Sequence, residues 1–212
     1  MFPDLTRDDV FRLETRRLWL RWPRRADVQA IVRLAGEKVV ADMTGTIPHP
    51  NSPDYADRFI VEARAANTDG RRLTMAITRR EQPSDLLGIV GISHEGDPAP
   101  FLGYWLGTPY WNAGLATEAV RAMIDAFFAY TDGRELTASV RVVNPGSRRV
   151  LEKCGFVAVG SGLKAFPQRG GVLPVDYFRL DRRTWESLKD WSRTGFVPQR
   201  RYDDLPGATA HH

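Results

Sequence analysis

Gly103-Tyr-Trp-Leu-Gly-Thr-Pro-Tyr-Trp-Asn-Ala-Gly-Leu-Ala-Thr-Glu118 carries a strand into a helix through a short loop. Phe101 to Leu106 reads as the strand, and Gly107 and Pro109 break it. From Ala113 to Tyr130 the pattern is helical: Leu115, Ala119, Met123, Phe127 and Tyr130 form one apolar stripe, with Val120, Ile124 and Phe128 beside it. Glu118, Arg121 and Asp125 mark the polar face. The first N–H groups of such a helix have no partner within it and lie at the positive end of its dipole. Gly114 and Ala116 carry almost no side chain, so an anion can approach that backbone closely. The same residues also suit a plain, tightly packed strand–helix turn.

The rest of the chain extends this βα unit on both sides. Thr15 to Trp22 alternates, with Leu18, Leu20 and Trp22 on one face, as in a half-buried strand ended by Pro23. Asp27 caps a helix with Val28, Ile31, Val32 and Ala35 inward. After a Pro-rich loop over 43–53, Ser52 and Pro53 open a second helix bearing Ala56, Phe59, Ile60 and Ala63. Leu73–Thr78 and Leu86–Ser93 read as strands, and Glu95–Pro100 as a turn. Downstream come a strand over Leu136–Val143 and a short helix opened by Asn144-Pro145 and stopped by Gly155. Strands over Phe156–Val159 and Val175–Leu180 flank a Gly-rich loop, and a short helix follows over Trp185–Trp191. The order predicts an α/β or α+β sheet with helices on both faces. Residues 1–12 read as an arm, 13–190 as one domain and 191–212 as a polar tail.

The composition of the 212 residues, 42% hydrophobic and 26% charged, is globular. No run of about 18 apolar residues could span a bilayer, and the charged start of the chain does not read as a signal peptide. A single cysteine, Cys154, fits a reducing cytoplasm. The net charge is +4, and six arginines fall between Arg12 and Arg25. Interspersed acids favour a solvated basic surface over a nucleic-acid site. No P-loop, dinucleotide G-x-G-x-x-G, H-E-x-x-H or paired C-x-x-C is present, so neither those phosphate sites nor a metal site is expected.

Leu102-Gly103-Tyr104-Trp105-Leu106 and Tyr110-Trp111-Asn112-Ala113-Gly114-Leu115-Ala116-Thr117-Glu118-Ala119 together resemble motif A of the GNAT N-acetyltransferases, more narrowly of the RimJ/RimL type. Thr15-Arg16-Arg17-Leu18 upstream matches too, as do Asn144, Ser147 and Glu152-Lys153-Cys154-Gly155-Phe156 downstream. Four motifs in order cover about residues 13–190. The resemblance implies a mixed, mostly antiparallel sheet with a splayed pair of parallel strands, here Phe101–Leu106 and Leu136–Val143. It implies acetyl-CoA as cofactor and CoA as product. The backbone of Trp111, Asn112, Ala113, Gly114, Leu115, Ala116 and Thr117 would cradle the pyrophosphate. Trp105 and Leu106 would hold the pantetheine arm and polarise the thioester carbonyl through backbone N–H. Asn144 and Lys153 would contact the cofactor, and Ser147 would protonate the departing thiolate. The acceptor would be a small-molecule or peptide amine, and the protein a cytoplasmic homodimer.

Two positions depart from the family pattern. Trp111 stands where Arg or Gln is usual, which removes a polar phosphate contact. Ala99 to Leu102 supply no glutamate before Gly103-Tyr-Trp-Leu, which leaves the general base open. His94 and Glu95 are the candidates for that base, with Asp176 and Tyr177 behind them. Each also fits a plain surface role, and Ser147 and Asn144 fit simple helix capping. Cys154 reads as a buried core residue. Substrate selection falls to the loop 43–53 with Met43, Thr44, His49 and Tyr55, to the turn 94–100 and to the loop 160–174, with Trp19 and Trp22 as floor. The alternative to an enzyme is an acyl-CoA-binding module that works through a partner.

Overall fold

The computed structural model describes residues 1–94 and 99–194. Strands β1 (Arg12–Glu14), β2 (Leu18–Arg21), β3 (Arg72–Arg79), β4 (Leu86–Ser93), β5 (Phe101–Leu106), β6 (Glu135–Arg141), β7 (Val157–Phe166) and β8 (Gly171–Asp181) make one sheet. Their spatial order is β1-β2-β3-β4-β5-β6-β8-β7. Every neighbouring pair is antiparallel except β5 and β6. The helices are α1 (Val28–Ala35), α2 (Lys38–Ala41), α3 (Pro53–Thr68), α4 (Leu115–Tyr130), α5 (Pro145–Lys153) and α6 (Arg182–Thr194).

Strand alternation sends side chains to two cores. On one face Ala76 and Ile89 meet Ile31 of α1 and Ala56 and Ile60 of α3. On the other, Leu18, Leu20, Leu73, Leu102, Leu106, Leu136 and Ala138 pack with Leu115, Ala119, Met123 and Phe127 of α4. The mixed, mostly antiparallel sheet with helices on both faces is therefore as the sequence predicts. Helix α3 begins as expected, with Ser52 Oγ accepting the Tyr55 N–H at 3.2 Å and Pro53 in the first turn. Phe2 is 1% exposed and packs edge-on against Phe127, with 6.2 Å between ring centroids, so the first residues are pinned to the α4 side.

The splayed pair is also present. Strands β5 and β6 share a single register pair, Phe101 with Thr137, and then diverge.

Two boundaries differ from the sequence reading. Residues 160–174, expected as a Gly-rich loop, form the far halves of β7 and β8, paired from Val157–Arg179 to Phe166–Gly171. The glycines there serve the strands: Gly160 sits at the register shift with φ 152, a local bulge rather than a break. The C-terminal helix is also longer than Trp185–Trp191, because Asp181 Oδ1 accepts the Thr184 N–H at 2.7 Å and starts it earlier. The expected tail, apart from residues 191–194, and Glu95 lie outside the described residues.

Candidate active site

At the end of β5 the chain makes a short turn over Thr108–Tyr110 and enters α4. Gly114 is the residue before the helix and adopts φ 73, ψ 6, the left-handed region that glycine enters without strain. Asn112 is also left-handed, at φ 59. A Cβ on Gly114 would meet only Arg17 Nη2, at 3.5 Å. The space beside Gly114 at the start of α4 is thus clear, as an anion cradle requires.

The turn is held from three sides. Trp111 Nε1–H donates to the Leu106 carbonyl at 2.8 Å, so this indole braces the turn against the strand end. Thr108 Oγ1–H donates to Glu37 Oε2 at 2.7 Å. The third brace explains the Thr15-Arg16-Arg17-Leu18 segment. Glu118 Oε1 accepts from Thr15 Oγ1–H at 2.6 Å and from the Arg17 N–H at 2.8 Å, and Oε2 accepts from Arg17 Nε–H at 2.7 Å. Arg17 Nη1–H reaches on to the Ala113 carbonyl at 2.9 Å. The segment between β1 and β2 is therefore tied to the cradle by four hydrogen bonds.

Burial pushes the Glu118 carboxyl up, but the Thr15 and Arg17 hydrogen bonds outweigh it and hold it below the usual glutamate range. A carboxyl lowered in the folded state contributes stability that is present above the unfolded value of about 4.3 and is lost as pH falls through the folded value. Thermal unfolding followed against pH is expected to show Tm falling below that pH in wild type. The Glu118→Gln variant should start from a lower Tm and lose less of it on acidification.

The gap between β5 and β6 opens into a cavity of about 850 Å³. Its wall runs from the cradle (Trp111, Asn112, Gly114, Leu115, Ala116, Thr117) past Trp105, Leu106, Asn144, Ser147 and Lys153. Of the expected cofactor residues only Ala113 is not in this wall; its carbonyl is the one Arg17 holds. Past Phe101 the wall continues to Ile31, Met43, Tyr55 and Phe59 on the opposite face of the sheet. The cavity passes through the sheet, so two ligands can meet inside it from opposite sides.

Backbone pairing shows which N–H groups are offered there. The Gly107 N–H donates to the Leu87 carbonyl at 2.9 Å, so alternate residues of β5, Trp105 included, turn their backbone toward β4. Tyr104 and Leu106 turn theirs toward the gap. Of the two strand residues expected to polarise a carbonyl, Leu106 offers its N–H, and Tyr104 replaces Trp105, whose contribution is its side chain.

Ser147 sits in the first turn of α5. Its N–H donates to Asn144 Oδ1 at 3.0 Å, so Asn144 is the helix cap. Its Oγ shares a hydrogen bond with the Tyr104 hydroxyl at 2.8 Å, and that hydroxyl also donates to the Ser147 carbonyl at 3.1 Å. Burial pushes the Tyr104 phenol far above its usual value, so it stays protonated. The sequence reading missed this pair. The residues lie 43 positions apart, and Tyr104 falls on the apolar face of β5 with Leu102 and Leu106.

Other expected residues stand elsewhere. His94 is exposed and not in the cavity wall. Asp176 accepts from Ser161 Oγ–H at 2.6 Å and pairs with Arg148 at 3.2 Å, and the Tyr177 hydroxyl donates to the Leu163 carbonyl at 3.2 Å; neither lines the cavity. Trp19 lies under Arg12 and Trp22 under Arg64, away from the floor. Met43, Thr44 and Tyr55 do line it, while the exposed His49 bonds the Gly36 carbonyl. Burial pushes the Cys154 thiol up to about 11, and its Sγ–H points to the Thr117 carbonyl at 3.7 Å, as suits a core residue. Among the described residues there is no cluster able to hold a metal ion, and no helix is long and apolar enough to cross a membrane.

Residues 17–157 match the model of the acetyltransferase (GNAT) domain family. The chain belongs to the GNAT acetyltransferases. YdaF of Bacillus subtilis, whose name places it among ribosomal N-acetyltransferases, is 26% identical over 139 residues, 58% of this chain and 76% of its own length. In fold, this GNAT chain is similar to Mycobacterium smegmatis RimJ solved with a CoA disulfide, at TM-score 0.66 and 21% identity over 83% of this chain and 90% of that one. It is similar also to the microcin C7 self-immunity acetyltransferase MccE solved with acetyl-CoA and AMP, at TM-score 0.67 and 18% identity over 79% and 93%.

Proposed function

We propose that residues 13–190 form one acetyltransferase domain that moves acetyl from acetyl-CoA to a primary amine by direct attack, acting in the cytoplasm. The observation that carries this reading is the cavity itself. It runs without interruption from the open N-terminus of α4, through the gap between β5 and β6, to the far face of the sheet. A pyrophosphate fits the cradle because Gly114 leaves it clear, and a narrow arm fits the gap between the strands. In this reading the N–H groups of Asn112 to Thr117 hold the phosphates, with Asn144 and Lys153 beside the arm.

When bound, acetyl-CoA supplies a thioester carbonyl open to attack. The Tyr104 and Leu106 N–H groups, already fixed by the β4 ladder, stabilise the oxyanion that attack creates. Ser147 Oγ–H gives a proton to the departing sulfur and takes one back from the water that receives the amine proton, while the Tyr104 hydroxyl, kept protonated by its burial, holds the serine Oγ in place. Among the described residues no Asp, Glu or His lines the cavity. The amine therefore arrives neutral and passes its proton to water. A peptide α-amine, with a pKa of about 7.7–8, meets that condition near neutral pH better than a lysine at about 10.4. The test is thiol release from acetyl-CoA in the presence of a panel of peptide N-termini and small amines. Release in step with amine loss is expected; release equal with and without any amine would contradict the reading.

A further inference from the structure

Alternation along β6 places Leu136, Ala138 and Val140 in the α4 core, so Ser139 and Arg141 face the other side, where the acceptor would enter. The β7–β8 hairpin reaches over the same space. Its Arg169 clamps the Ala41 carbonyl and the Ile47 carbonyl, the latter at 2.6 Å, which fixes the hairpin to the segment after α2. From that hairpin Lys164 lines the cavity, with Nζ 4.1 Å from the centroid of the Phe101 ring and 3.3 Å from Ser139 Oγ. Both partners are neutral. No carboxylate among the described residues pairs with Lys164.

Arg141 lines the same end. Its Nη1–H donates to the Asp42 main-chain carbonyl at 2.6 Å. The Asp42 carboxylate is engaged elsewhere, by Lys38 at 2.6 Å and Arg169 at 3.5 Å. One carboxylate thus faces three cations at this corner. A half-buried ammonium with only neutral partners, beside a guanidinium that shares one carboxylate with two other cations, is costly to hold, and a ligand that brings an anion relieves the cost. A simple cationic amine would be repelled here.

Resting on the acetyltransferase reading, we infer that the acceptor is an amine carrying its own anionic group, carboxylate or phosphate, and that this group docks on Lys164 and Arg141. The same cations disfavour the protonated form of the incoming amine and so assist a site that lacks a base.

The test uses the full chain with acetyl-CoA and two matched acceptor pairs: alanyl-aspartate amide against alanyl-asparagine amide, and phosphoethanolamine against ethanolamine. The charged member of at least one pair should have kcat/KM higher by about tenfold, as for a hydrogen bond to a charged group. Preference in the first pair alone identifies a carboxylate, and in the second alone a phosphate. Lys164→Met should abolish the preference within the pair that shows it, read as the ratio of the two kcat/KM values, while Lys164→Arg should retain it; acetyl-CoA titration of both variants checks that the cofactor side is intact. Equal rates within both pairs, turnover confined to neutral or polycationic amines, no turnover of either charged acceptor, or a preference that survives Lys164→Met would overturn the inference. Failure of the protein to bind acetyl-CoA would instead overturn the reading beneath it.

Discussion

Gly114→Glu is expected to bind acetyl-CoA at least about 100-fold more weakly than wild type, a loss of about 2.7 kcal/mol. Two effects add. A side chain at φ 73 strains the turn by about 1–2 kcal/mol. A carboxylate at the mouth of the cradle then repels the phosphates that the α4 dipole attracts. Arg17 does not cancel this charge, because Glu118 already holds its guanidinium. Gly114→Ala separates the two effects. Its Cβ meets only Arg17 Nη2 at an ordinary 3.5 Å, so it carries the backbone strain alone. Both variants should lose similar thermal stability, and only the glutamate should lose most of the affinity. A glutamate variant that bound as well as the alanine variant would show that the phosphates sit elsewhere.

Ser147→Ala is expected to lower kcat by about 100-fold, the scale of a lost proton donor. The substitution keeps the N–H that Asn144 caps, so α5 should stay formed and acetyl-CoA affinity unchanged. Tyr104→Phe should fall between, since the serine hydroxyl remains and loses its partner. An acetyl thioester of a more acidic thiol needs less help in leaving and should recover most of the Ser147→Ala rate. Unchanged kcat in Ser147→Ala would reduce Ser147 to a capping-turn residue. An equal loss with both thioesters would deny it the role of acid.

Much of this was legible in the residues because periodicity and caps are local. Ser52-Pro53, Asn144-Pro145 and the stripe of Leu115, Ala119, Met123 and Phe127 each announce a helix from their neighbours alone. The cradle was legible for the same reason, since Gly107, Gly114 and Ala116 lie within one turn. The β7–β8 hairpin was not. It is an edge ribbon with most of β7 exposed, so no buried face imposes alternation, and its glycines and prolines imitate a loop. Contacts between distant elements were equally hidden. Thr15 and Arg17 hold Glu118 across about a hundred residues, and nothing near Trp111 signals that its indole will bond the Leu106 carbonyl. The apparent loss of a phosphate contact at Trp111 is a change of task. The position that carries a polar side chain in the family pattern here braces the loop.

The missing base reads differently in the same light. His94 looked suitable by intrinsic pKa, but its strand ends at the surface. The cavity supplies fixed N–H groups, a hydroxyl pair and cations, and the amine supplies its own lone pair.

The central claim is that the cavity between β5 and β6 binds acetyl-CoA. Calorimetric titration of the wild-type chain with acetyl-CoA, with CoA and NAD as comparators, tests it most directly. Saturable micromolar binding of acetyl-CoA and CoA but not NAD is the predicted result. No heat of binding for acetyl-CoA up to millimolar concentration would contradict it.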